Sequence, residues 1–267
     1  MQDTRAAPSP LERAIRHDRV IVLGGLVAIT LLAWRYLIGM AATMKMGAAG
    51  KAMHAAMGMP EMAAWGAGEL IMLFLMWAVM MVAMMLPSAA PVILLVMGTY
   101  RRRGGRARVL AVAFSSGYLL AWTAFSAAAG LAQLMLHRAA MLTPDMATQS
   151  AIIGGAVLLF AGAYQWLPVK RACLTRCRSP LAFLGSHWRE GAAGALSMGL
   201  RHGLFCVGCC WALMLLLFAA GVMNLLWVAA IAGFVLIEKL ASGGYLIGRV
   251  AGVALIVWGA SVILAGL

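Results

Sequence analysis

Charge is scarce in this chain, and negative charge is scarcest. Only 11% of its 267 residues are Asp, Glu, Lys or Arg, and just eight are acidic. A soluble domain carries about 25% charged and about 45–50% apolar residues. Here the hydrophobic share is 64% and the mean hydropathy is +0.93, which excludes an ordinary water-soluble domain. No Gly-rich phosphate loop, paired catalytic carboxylates or nucleophile elbow is present, so the expectation is a protein that is not an enzyme. No repeat of fixed period is visible either. Cysteine is absent from the first 172 residues.

What the chain does contain is a series of apolar runs that continues to the C-terminus. A membrane-spanning helix needs roughly 20 apolar residues. Seven stretches are candidates, 20–40, 68–97, 109–136, 150–167, 203–222, 225–240 and 245–266, of which the fourth and sixth are short. The expected fold is all-α, a polytopic membrane helix bundle of about seven transmembrane helices. Residues 1–19 form a polar cytoplasmic tail, and 20–267 form a single transmembrane domain. The first apolar run is longer than the core of a cleavable signal, so it reads as a retained helix. Pro87 and Pro91 lie near the end of the second run and predict a kink or stop there.

The formal net charge of +13 comes from basic residues grouped between spans. Arg101, Arg102, Arg103, Arg106 and Arg108 follow the second span, and Lys170, Arg171, Arg176, Arg178 and Arg189 follow the fourth. Excess positive charge stays inside, which puts the N-terminus in the cytoplasm and the 41–66 loop outside. Topology signals beside anionic lipid account for the charge, so no nucleic-acid partner is expected. A Glu238–Arg201 pair, or Glu238–Lys239 at the surface, would satisfy the acidic end of the sixth span.

Against this background the soft donors stand out. Fourteen of the 21 methionines fall between Met40 and Met97. Met72, Met76, Met80 and Met84 recur every four residues along one face of a helix, widened by Met81 and Met85. Methionine fills gaps in apolar cores, but six thioethers in and beside one register exceed what packing needs. Met53, His54, Met57 and Met59 lie in a polar outer loop with no core to fill. Thioether and imidazole suit extracytoplasmic copper, because thiols oxidise there.

The five cysteines are downstream. His202, Cys206, Cys209 and Cys210 share one face if the segment is helical. Cys173 and Cys177 are spaced for a second face in the basic inner loop. Thiolates bind Cu(I), and three or four soft ligands also suit Zn(II). All five thiols are expected to form one inner site. Small residues at four-residue spacing, Gly199/Gly203 and Gly244/Gly248/Gly252, predict close helix packing.

These motifs carry a resemblance. Met76-Trp-Ala-Val-Met80-Met81-Val-Ala-Met84-Met85-Leu-Pro-Ser, Tyr164-Gln165, Cys173-Leu-Thr-Arg-Cys177-Arg-Ser-Pro, Cys206-Val-Gly-Cys209-Cys210-Trp and Glu238-Lys239 resemble a bacterial family of predicted metal-binding integral membrane proteins of unknown function. The similarity covers about residues 40–245. It implies a metal ion as partner. Three functions follow as expectations. The first is soft-metal handling, with Cu(I) as the ion, a soluble metal carrier or a second copy of the chain as partner, and the lipid bilayer around it. The alternatives are a membrane thiol–disulfide oxidoreductase and a structural subunit of a membrane complex.

Overall fold

The computed structural model describes residues 10–56, 67–104, 106–139, 148 and 150–266. Among them the chain is entirely helical apart from short connections. The helices are α1 (Pro10–Ala56), α2 (Ala67–Arg102), α3 (Ala107–Arg138), α4 (Ala151–Tyr164), α5 (Pro168–Arg178), α6 (Pro180–His187), α7 (Gly191–Ala220), α8 (Leu225–Leu240) and α9 (Gly244–Ala265). Sequence signals explain several ends. The Ser150 hydroxyl accepts from the Ile153 amide, 3.3 Å away, and caps α4. Pro168 and Pro180 open α5 and α6, where a missing amide costs nothing. Gly221 closes α7 at φ +92°, a backbone region that suits glycine.

The expected seven spans reduce to five. Asp18–Thr43, Leu70–Arg102, Ala107–Arg138, Gly191–Ala220 and Gly244–Ala265 are long and apolar enough to cross a membrane. The pair α4 and α5, bent by 63°, makes six if it counts as one broken span. The fourth expected span fails as a straight crossing because α4 has only 14 residues before the bend. The sixth fails because α8 has 16 residues, about 24 Å of rise against a hydrocarbon core of about 30 Å.

Three further expectations are corrected. First, α1 runs past its apolar stretch at both ends, so 41–56 is helix rather than loop. Second, α2 does not stop at its prolines but continues to Arg102. Ser88 donates to the Met85 carbonyl at 2.8 Å, not to the carbonyls that Pro87 and Pro91 leave without donors. Buried surroundings let a membrane helix tolerate such gaps. Third, α7 starts at Gly191, twelve residues before the expected start. The helix carries Arg201 on its exposed face and buries His202.

Glycine decides which helices touch. α3 packs most extensively on α7, and α4 on α9. A Cβ on Gly199 would come within 2.7 Å of the Phe114 carbonyl carbon, and one on Gly203 within 2.9 Å of the Tyr118 oxygen. Gly252 meets the Gly162 carbonyl in the same way on the α4–α9 side. Asp18 of α1 is buried between Arg101, with which it pairs, and Arg108, whose Nη2 lies 2.6 Å away. That triad ties α1 to the α2–α3 turn.

Candidate metal centre

The close α3–α7 contact sets up the site. Cys206, Cys209 and Cys210 lie midway along α7 and are at most 1% exposed. Their sulfur atoms all lie within 4.8 Å of one another, the one such cluster of potential ligands among the described residues. A metal–sulfur bond is about 2.3 Å, so two sulfurs on a linearly bound ion sit about 4.6 Å apart. Sulfurs this near one another are within the span that a single ion bridges. The Cys209 and Cys210 thiols now donate to the Cys206 carbonyl, at 3.1 and 2.9 Å. Those bonds are weak and local, and a metal can replace them.

α2 brings one thioether to the thiols. Met76, Met80, Met81, Met84 and Met85 are all buried, whereas Met72 is 58% exposed and leaves the stripe. The Met85 sulfur lies 4.0 Å from that of Cys210. Tyr118 of α3 contacts the Cys206 sulfur at 3.0 Å and donates to the Met85 carbonyl at 3.1 Å.

α5 brings the remaining cysteines. Residues 168–187 are two short helices rather than a loop. Cys173 and Cys177 pack against the core that holds the α7 thiols, but the close cluster consists of Cys206, Cys209 and Cys210, not of all five expected thiols. The Cys173 sulfur lies 2.8 Å from where a Gly208 Cβ would stand. Both α5 thiols are partly exposed, so the five sulfurs grade from a covered core to an accessible edge. The Tyr164 hydroxyl holds this edge together by donating to the Gly208 carbonyl at 2.5 Å.

His202 is one turn below Cys206 and 3% exposed. It sits among the rings of Phe114, Tyr118 and Phe183, at 6.0, 6.0 and 5.1 Å. Its Nδ1 has no hydrogen-bond partner. Met53 and His54 fall on α1 with side chains outside the described set, and Met57 and Met59 lie outside the described residues.

Sequence reasoning missed the charges at the centre. Lys239 looked like a topology signal, but it is buried, with Nζ donating to the Cys206 sulfur at 2.8 Å and to Ser88 Oγ at 3.0 Å. Its neighbour Glu238 is 1% exposed and pairs with buried Lys170 at 2.7 Å, not with Arg201 or Lys239. Lys170 also donates to Gln165. The Glu238-Lys239 dipeptide thus faces two ways, toward α5 and toward the thiols. The one available signal was the acidic Glu238 at the end of an apolar run, because a charge carried into a bilayer needs a partner.

Three thiols, an adjacent thioether and no carboxylate make a soft donor set, which suits copper or zinc and disfavours hard cations. The fold and centre define a class: an all-helical protein, with helices compatible with membrane insertion, built around a buried cluster of soft donors. The chain belongs to the PpoB2 copper chaperone family, whose family model matches residues 74–262. That stretch includes Met76 to Met85 and all five cysteines but begins after Met53–Met59. Family and cluster together point to copper as the bound ion. No curated protein and no solved structure matches the chain.

Proposed function

We propose that this protein is a copper-handling protein of the bacterial inner membrane, which holds Cu(I) as cargo and passes it on. The observation that carries the reading is the Cys206–Cys209–Cys210 cluster within 4.8 Å, closed on one side by the Met85 thioether at 4.0 Å. Low-coordinate thiolate binding is what Cu(I) prefers. Two thiolates and one Cu(I) carry a net charge of −1, which the Lys239 ammonium beside Cys206 offsets inside the bundle. The α5 thiols at the accessible edge act as exchange partners for the buried cluster. The outer segment with Met53, His54, Met57 and Met59 captures the ion first, and the buried Met76–Met85 wall guides it toward stronger thiolate ligands. The basic inner segments place the N-terminus in the cytoplasm. A soluble metal carrier is the partner for transfer.

The test is copper content after anaerobic purification of the full chain in detergent with reductant. Wild type should retain about one copper per chain, and Cys206→Ser/Cys210→Ser at least about tenfold less. Near-isosteric swaps keep the fold, which circular dichroism checks. The same thiol proximity also favours disulfide exchange. A wild-type chain without metal that readily forms a Cys206–Cys209 or Cys206–Cys210 disulfide would replace the copper reading with that one.

A further inference from the structure

Below the thiol cluster, α7 carries a line of soft donors that leads to the surface. Met198, His202, Cys206 and Cys210 recur every four residues, and all are at most 3% exposed. Each step rises about 6 Å and drifts about 40° around the helix. At the lower end, Met198 forms part of the wall of a cavity of about 130 Å³ that also takes in His187, Arg189 and Arg201. The cavity lies beside the basic end of α2, where Tyr100 donates to the Arg189 carbonyl at 2.5 Å and Arg103 pairs with Glu190 at 2.8 Å. Arg189 and Arg201 are exposed, so this end of the line reaches solvent.

Two features lie between the cavity and the cluster. The His202 Nδ1 is buried without a partner. Burying such a nitrogen costs free energy that a Phe at this position would not. The ring of Phe183 stacks on His187 at 5.1 Å and meets His202 edge-on at 5.1 Å, so the two imidazoles flank one phenyl group.

We propose that the Met198 cavity is a port for the metal cargo, and that Met198 and His202 relay the ion between the port and Cys206. This rests on the copper reading above. The cargo is a soft monovalent ion. Each hop is a ligand exchange: the thioether of Met198 takes the ion as the external donor leaves, an imidazole nitrogen of His202 replaces Met198, and the Cys206 thiolate replaces His202. One donor bond forms for each that breaks, the ion keeps its +1 charge, and no electron or proton is transferred. Met198 to Cys206 spans about 12 Å along the helix, so the relay joins a surface cavity to a centre that is otherwise covered on this side.

The experiment follows loading of the full chain in detergent from the coloured Cu(I)–bicinchoninate complex, by stopped flow. Met198→Leu and His202→Gln should each lower the loading rate constant by about tenfold or more. His202→Met, which restores a soft donor, should load at close to the wild-type rate. Rates within about twofold of wild type for both Met198→Leu and His202→Gln would overturn the port. So would a His202→Met variant as slow as His202→Gln, because the imidazole would then serve packing rather than relay. A wild-type chain that takes no copper defeats the copper reading and the port together; a wild-type chain that loads while the variants keep its rate defeats the port alone.

Discussion

At the residue scale, the decisive side chains are the buried charges. Lys170 and Glu238 are almost wholly covered and satisfy one another. Removing one partner of a buried pair leaves an uncompensated charge and costs about 3–5 kcal/mol. Lys170→Met should lower the melting temperature sharply in detergent, and adding Glu238→Gln should recover much of the loss. A single variant that melts like wild type would show that the pair contributes no stability. Lys239 has a different part. Lys239→Met removes the positive charge 2.8 Å from Cys206 and should weaken Cu(I) binding by at least about tenfold, or ~1.4 kcal/mol. Lys239→Arg should retain most of the affinity. Chelator competition reads both. The cysteines and Met76–Met85 could be picked out by residue type alone. Lys239 and Tyr118 could not, since a lysine at the end of an apolar run and a tyrosine within one have ordinary explanations.

At the element scale, glycines fix the helix pairs that hold the site. Gly199 lies against the Phe114 backbone, and its place could not admit a side chain without parting α3 from α7. Gly199→Leu should destabilise by at least about 1–3 kcal/mol through overpacking. It should also pull Tyr118 away from Cys206. Gly24→Ala is the control: nothing lies within 4 Å of a Cβ there, and its melting temperature should match or slightly exceed wild type. The Gly199/Gly203 spacing was legible in sequence because close packing requires small residues at that interval. The start of α7 was not. A polarity scan sees Arg201 and His202 as one polar break before the apolar run, but a helix points consecutive residues about 100° apart. One is exposed and the other is buried among rings of α3 and α6.

At the scale of the whole molecule, the distribution of charge predicts the orientation. Seventeen of the 21 basic residues group on the side assigned to the cytoplasm. In a variant lacking native cysteines, Met53→Cys should react with an impermeant maleimide added outside intact cells. Labelling only after permeabilisation of the inner membrane would reverse the topology, and with it the side on which the Met198 cavity opens.

By itself, the sequence determined that the fold is helical, that several helices suit a bilayer, and that thioethers and thiols are gathered in two separate stretches. Those facts follow from composition and period, which are local. Tertiary structure decided the rest. It replaced seven spans with five or six, because a 14-residue helix bends away and a 16-residue one is short. It set Met85 against Cys210 across 125 residues of chain and brought Lys239 to Cys206 across 33. Such contacts depend on which helix faces which neighbour. That choice is made where glycines let backbones meet and buried charges find partners, and both are relations between distant residues that no local pattern contains.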